Sequence, residues 1–384
     1  MVRVGSGHWR RSLWVSLVIL LLGPFDHCVA QSPQPSALPL VHARPGYSYV
    51  FPRDHGSHDQ FRIEWWYFTG HLFAKNGRRF GFELTFFRRA IDDPRVASNP
   101  SQWAIRQLYF AHFALTDEEN QAFWYAEKLS RAGLGKAGAE PNQLEVWIDR
   151  WRVKAKNPDH TQFQLEAATK DFAIDLLVET EKPPAVHGEQ GVSRKGAGEG
   201  QASHYYSFTR LSTKGTIWIN GNPMEVTGLS WMDHEFGSGE MGEDQVGWDW
   251  FSIQLDSKVE LMIYLLRRKD GTPDPASSGT VVFADGETRY LPLQDITVHV
   301  LDHWVSPHSG ARYPSGWSVK VHSLNISLNI VPCQVDQELV TTRSTQVTYW
   351  EGAVDVRGHF KSGTVMGVGY VELTGYAKPI RMTN

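Results

Sequence analysis

Residues 64–73 hold four consecutive aromatics, and tryptophan, tyrosine and phenylalanine fall on both parities of the run (Trp65, Trp66, Tyr67, Phe68, Phe73). A strand with one solvated face would alternate, so this run predicts a strand covered on both sides. Residues 79–88 form a second aromatic run after Lys75-Asn76-Gly77, and Asn-Gly between two apolar runs is a strong hairpin signal. Further strand-like runs follow at 122–129, 144–153, 161–177, 204–210, 215–219 and 224–233. Residues 102–115 have a composition compatible with a helix, but their aromatics and their place between strands predict a long strand. Residues 181–201 hold Pro183-Pro184, several glycines and mixed charge, and read as a long loop or lid. The pattern then resumes at 248–255, 258–267, 279–283, 287–291, 296–304, 316–321, 327–331, 348–356 and 365–377. No stretch requires a long amphipathic helix. Many short strands with closely spaced turns predict a sandwich or a barrel.

The second half repeats the first. Trp65-Trp66-Tyr67-Phe68-Thr69-Gly70-His71-Leu72 aligns with Trp248-Asp249-Trp250-Phe251-Ser252-Ile253-Gln254-Leu255. Each run is followed by an apolar strand ending in two arginines, Arg88-Arg89 and Arg267-Arg268. A second anchor pairs Gly228-Leu229-Ser230-Trp231-Met232-Asp233 with Gly367-Val368-Gly369-Tyr370-Val371-Glu372. In both, a large aromatic stands two residues before an acid, which places the two on one strand face. Two matches in the same order favour duplication. The Gly- and acid-rich stretch 237–247 marks the expected boundary. This gives an N-terminal domain at 47–237 and a C-terminal domain at 238–384, preceded by a Pro/Ser-rich tether at 31–46.

The first thirty residues read as a leader. Arg3, Arg10 and Arg11 precede an apolar run at 12–22, and Cys28-Val29-Ala30 offers a cut after Ala30. The expected location is therefore the periplasm or cell envelope, with an uncleaved N-terminal anchor as the alternative to cleavage. Removal of Cys28 leaves Cys333 without an intrachain disulfide partner. A net charge of −4 with no basic block implies no nucleic-acid partner. The fifteen tryptophans fit apolar pockets and barrel interiors, which points to a hydrophobic small molecule as ligand.

The densest polar cluster is Trp231-Met232-Asp233-His234-Glu235. Asp233 shares a face with Trp231. With that face turned into a barrel, desolvation would raise the Asp233 carboxyl and make it a proton donor near neutral pH. The alternative is a strand end with solvated acids. His204 and Tyr206 share one face, with Arg210 expected on the face of Tyr206. Their alternative is an ordinary wall histidine with one satisfied nitrogen. Ligand contacts are expected from Trp65, Tyr67, Arg210, Trp248, Trp250, Tyr370 and Glu372. The histidines around Asp54-His55-Gly56-Ser57-His58, with His71, His112 and His234, match no recognised zinc spacing, so no metal and no cofactor is expected. Neither a phosphate-binding glycine loop nor a nucleophile-elbow serine is present.

Three stretches carry a family resemblance: Asp54-His55-Gly56 with Glu64-Trp65-Trp66-Tyr67-Phe68-Thr69-Gly70, then Trp231-Met232-Asp233-His234-Glu235, then Gly369-Tyr370-Val371-Glu372-Leu373-Thr374-Gly375-Tyr376. Together the chain resembles the AttH-like family, grouped with the carotenoid 1,2-hydratases, over residues 47–377. The resemblance implies an all-β fold of two tandem lipocalin-like (calycin) β-barrels. The hydratases of the group add water across the terminal double bond of acyclic carotenoids without a cofactor, through a His-x-Trp and a Tyr-x-Asp pair. Those positions fall on His204, Tyr206, Trp231 and Asp233, with the aspartate as proton donor. Tyr206 stands where the pattern has Trp and Trp231 where it has Tyr, which removes a hydroxyl beside the acid. The AttH-like branch is linked to ABC-transporter components. The first expectation is thus an exported tandem-barrel protein that binds or hands over an extended lipid or isoprenoid. The rival is a cofactor-free hydratase acting through Asp233. A mainly structural envelope protein is the third reading.

Overall fold

The computed structural model describes residues 40–101 and 103–380. The expected leader, the cut after Ala30, Cys28 and most of the tether lie outside the described residues. Among the described residues the fold is all-β, and the α-helix is a single turn at Pro94–Ala97, capped by the Asp93 side chain on the Arg95 N–H. Thirteen strands form the first sheet: β1 (Ile63–Ala74), β2 (Arg79–Ala90), β3 (Gln107–Asp117), β4 (Ala122–Arg131), β5 (Ala137–Ala139), β6 (Glu145–Ile148), β7 (Trp151–Ala155), β8 (Gln162–Ala168), β9 (Phe172–Thr180), β10 (Ala185–Val186), β11 (Ser193–Arg194), β12 (Ala202–Ile219) and β13 (Asn222–Gly237). Ten form the second: β14 (Gln245–Leu255), β15 (Glu260–Arg268), β16 (Ser278–Val282), β17 (Thr288–Pro292), β18 (Ile296–Val305), β19 (Arg312–Val321), β20 (Ile326–Pro332), β21 (Glu338–Val340), β22 (Thr348–Phe360) and β23 (Gly363–Leu373).

The first sheet runs β4-β3-β2-β1-β13-β12-β9-β8-β7-β6-β5 and curls until β4 meets β6, giving a nearly closed barrel. The second runs β17-β16-β15-β14-β23-β22-β20-β19-β18 and stays a half-barrel. The hairpin expected at Asn76-Gly77 joins β1 and β2, with Gly77 at φ +88°, where a side chain would strain the turn. The strand expected over 102–115 begins only at Gln107. The expected loop at 181–201 carries the two short strands β10 and β11, both paired to β12.

The duplication is reproduced in register. Tyr67 opposes Asp233 and Thr69 opposes Trp231 in the first sheet. Their aligned counterparts pair in the same way, Trp250 with Glu372 and Ser252 with Tyr370.

Both barrel interiors are packed with side chains. Trp66, Phe68 and Leu72 of β1 enter the first core, with Phe82, Phe113, Trp151 and Met232. Phe251, Ile253, Trp317, Trp350 and Val354 fill the second. The other face of β1 meets the second sheet. Tyr67 Oη donates to Glu351 Oε1 at 2.6 Å, and His71 Nε2 bonds the Gly369 carbonyl at 2.8 Å. Thus β1 is apolar on both parities because one face fills a barrel and the other forms a seam between sheets. The seam is tied further by Arg79 to Asp355, Gln254 to the Thr209 and Ser230 carbonyls, and Lys182 to Glu260.

Candidate functional site

The strongest cluster lies in this seam. A cleft of about 100 Å³ opens between the sheets. Its walls include Trp65, Tyr67, Phe87, Trp248, Trp250 and Tyr264, and its polar lining includes Glu83, Tyr205, Asp233 and Glu372. Lys195 reaches it from the 181–201 loop, 2.8 Å from Glu235 and 4.0 Å from the centre of the Tyr264 ring.

Asp233 is 7 % exposed and takes three donors. Tyr205 Oη donates to Oδ2 at 2.7 Å, Trp231 Nε1 donates to Oδ1 at 2.6 Å, and Ser207 Oγ also donates to Oδ1. Loss of hydration raises its pKa to about 7, although the three donors pull the other way. Behind Ser207, His187 Nε2 lies 2.6 Å from its Oγ, and His187 Nδ1 lies 2.9 Å from Thr280 Oγ1 in the second sheet. Burial lowers the His187 pKa to about 3, so this ring is neutral and passes hydrogen bonds without charge. Here Ser207 stands between the imidazole and the acid. A hydrolase triad needs the imidazole in the middle, so this is not one.

Glu372 Oε2 accepts a hydrogen bond from Trp248 Nε1 at 2.6 Å, and desolvation brings its pKa to about 8. Glu83 is buried and its pKa rises to about 7, chiefly by desolvation. Glu351 is buried beside it and is pushed well up, first by desolvation and then by the charges of Glu83 and Glu372. Oε2 of each of these two glutamates is buried without a hydrogen-bond partner among the described residues. The cleft therefore holds several carboxyl groups that retain protons near neutral pH, against aromatic walls.

The expected residues divide by face. The face of Trp231 and Asp233 is the outside of the first barrel, not its interior; burial comes instead from the opposing sheet. Trp65, Tyr67, Trp248, Trp250 and Glu372 line the same cleft. Tyr370 is buried in the seam next to them. His204 and Tyr206 do not meet Asp233. In the β12–β13 pairing it is Ser207 that opposes Asp233, so Tyr205 and Ser207 share its side and the residues of opposite parity point inward. His204 stacks on Tyr47 with ring centres 4.3 Å apart, at the barrel end. Tyr206 Oη contacts His55 Nδ1 at 2.7 Å and His234 Nδ1 at 3.0 Å inside the barrel. Arg210 is not on the Tyr206 face. A bulge between Phe208 and Leu211 breaks the alternation and aims its guanidinium across the seam, where Nε donates to Glu260 Oε1 at 2.6 Å.

The loop 54–58 packs against the barrel end. Glu64 sits fully buried between Arg88 Nε at 2.9 Å, His58 Nδ1 at 2.8 Å and His234 Nε2 at 2.9 Å. Burial alone would raise the Glu64 carboxyl, but Arg88 and the two imidazoles hold it low. Every ligand atom of this group already has a partner, so the cluster reads as a structural ion network. The residues the sequence reading missed are Tyr205, Glu83 and Glu351. Tyr205 lies between His204 and Tyr206 on the opposite face, and only the β12–β13 register shows that its face is the one Asp233 shares. Glu83 and Glu351 come from different sheets and carried no local signal.

Two packed barrels with an acid-lined cleft between them define a tandem-barrel protein. The chain belongs to the AttH-like family, whose model matches residues 42–376. It is similar to a crystal structure assigned as an AttH from Nitrosomonas europaea, at 34 % identity and a TM-score of 0.79, covering 88 % of this chain and 99 % of that one. It is also similar to kievitone hydratase from Nectria haematococca at 16 % identity and a TM-score of 0.67, covering 89 % and 97 %, a likeness of fold. No curated protein matches the chain.

Proposed function

We propose that the protein is a cofactor-free hydro-lyase that adds water to an apolar alkene in the cleft, with Asp233 as the acid. One observation carries this reading: a buried carboxyl with its pKa near 7 lines an aromatic-walled opening. Such an acid gives up its proton at little cost at neutral pH. The Asp233 O–H proton goes to one alkene carbon, and the π pair forms the new C–H bond. The adjacent carbon becomes a cation, which the electron-rich faces of Trp65, Trp248 and Trp250 favour. Water forms the C–O bond, and its extra proton returns to the Asp233 carboxylate. Tyr205, Trp231 and Ser207 all donate to that carboxylate, so they stabilise the charged form between the two proton transfers.

The cleft size bears on the substrate. A cavity of about 150 Å³ accommodates a benzene ring, so an opening of about 100 Å³ suits the end of a molecule and not a whole lipid. An isoprenoid terminus, whose protonation gives a tertiary cation, fits this description. The alternative of carrying a lipid inside a barrel meets interiors already filled by aromatic and aliphatic side chains.

The test is incubation with acyclic isoprenoid alkenes in heavy-oxygen water, followed by mass spectrometry. A product carrying the label is expected from the native protein and not from Asp233→Asn. Equal labelling by both proteins would overturn the assignment of Asp233.

A further inference from the structure

The seam contains a second group of polar side chains, away from the cleft. His71 of β1, Glu118 just beyond β3, and Cys333 just beyond β20 bring nitrogen, oxygen and sulfur atoms within 4.8 Å of one another. His71 is 1 % exposed, and its Nε2 bonds the Gly369 carbonyl at 2.8 Å. A carbonyl accepts only, so Nε2 carries the proton and Nδ1 presents a free lone pair. Nδ1 is buried and has no hydrogen-bond partner among the described residues. It lies 3.7 Å from Glu118 Oε1, which is likewise buried and without a hydrogen bond. The Cys333 thiol also reaches the Glu118 carboxyl, and two acceptor lone pairs facing each other at a buried point cost free energy unless a proton or a cation stands between them.

From this geometry we infer that His71, Glu118 and Cys333 form a binding site for a borderline divalent cation, zinc being the chemistry that fits. Nitrogen, carboxylate and thiolate ligands together favour zinc over calcium or magnesium, which take oxygen. The 3.7 Å between Nδ1 and Oε1 is a few tenths of an ångström wider than the roughly 3.4 Å between two ligands each about 2.1 Å from a tetrahedral ion, a gap that side-chain rotation would close. A carbonyl holding the far nitrogen of a ligating histidine is the usual supporting contact. Glu118 has its own support: Arg79 Nε is 3.3 Å from Oε2, and Arg79 Nη2 is held at 2.6 Å by Asp355. Charges balance in the loaded site, since the dication matches the Glu118 carboxylate and the Cys333 thiolate while Arg79 matches Asp355. Binding forms the metal–sulfur bond and releases the thiol proton to solvent. Three protein ligands leave one tetrahedral position for an external ligand. His71 and Glu118 come from the first sheet and Cys333 from the second, so the ion would join the two halves.

The test uses the full chain carrying Cys28→Ser, which leaves Cys333 as its one thiol. Cobalt(II) added to the reduced, metal-free protein should give a thiolate-to-cobalt charge-transfer absorption that saturates at one ion per chain and is bleached by zinc. Zinc should also raise the melting temperature and slow the reaction of Cys333 with a thiol reagent at least about tenfold. His71→Gln should weaken cobalt binding by more than the roughly ten- to a hundredfold that changing a mere supporting contact costs, with the circular dichroism unchanged. Absence of the charge-transfer band, or a thiol reactivity indifferent to zinc, would overturn the site. The reactivity measurement needs no further variant, so it decides the matter even where a substitution fails to fold.

Discussion

Asp233 and Glu372 hold the same register position in the two halves, one opposite Tyr67 and the other opposite Trp250, and both carboxyls line one cleft. An aromatic-x-acid strand thus appears twice, and the two copies face one another.

The first prediction concerns stability against pH. Asp233 and Glu83 keep their protons to about 7 and Glu372 to about 8, each mainly by desolvation. Unfolded, such groups lose the proton near about 4, so the folded state binds more protons in between and stability falls as pH rises through that window. Glu372 keeps some contact with solvent at the cleft, so its share is smaller. His58 acts in the same direction, because Asp54 and Glu64 raise its pKa against burial. Buried His55, His112 and His187 remain neutral down to about 3 and His71 to about 4, so they make stability rise with pH up to about 6.5. The two trends oppose below about 6.5, and above it the carboxyls and His58 act unopposed. Calorimetric melting temperatures should fall between about pH 6.5 and 8, and Asp233→Asn should flatten that limb. A native melting temperature that climbs through this range would contradict the reading.

Tyr205→Phe should shift the pH profile of product formation upward. The Tyr205 hydroxyl favours the Asp233 carboxylate, so its removal raises the acid further. The rate of proton donation should fall, since the carboxylate left behind is less stabilised, while the fold persists. An unmoved profile would show that Asp233 is not the titrating group.

Glu64→Gln tests the buried ion network. Arg88 is 1 % exposed, and its Nε would lose the carboxylate that balances it. Breaking one side of such a pair costs about 3–5 kcal/mol, which urea denaturation would read directly. Lys75→Ala, which removes a pair between two well-exposed side chains, should leave the transition unmoved.

Gly81→Val tests the seam. A Cβ at Gly81 would stand 2.7 Å from Ala353 Cβ and 2.8 Å from the Tyr370 hydroxyl. Two β-branched methyl groups would force the sheets apart, so the link at 238–244 should be cut faster by protease than in the native protein. Equal cleavage would mean that the sheets yield at no cost.

The sequence announced the strands, the first hairpin and the duplication, because aromatic runs and Asn-Gly turns act locally. It also pointed to Asp233 and to most of the cleft walls. It misplaced their face. Trp65 and Tyr67 are as aromatic as Trp66 and Phe68, so hydrophobicity could not say which pair fills a barrel and which meets the other sheet. His204 and Tyr206 were misjudged because the face shared between neighbouring strands depends on register, which here matches Ser207 with Asp233. The bulge after Phe208 defeated the alternation argument for Arg210 in the same way. Glu351 was hidden for another reason: its neighbour Glu83 is far away in the chain and meets it only once both sheets are assembled.

The matched register of Tyr67–Asp233 and Trp250–Glu372 has an ancestral consequence. A chain with a single half would possess one wall of the cleft and no chamber. It would regain the chamber only as a homodimer, with its acids related by a two-fold axis. In a single chain the two positions need not match, and they carry different acids, Asp233 and Glu372.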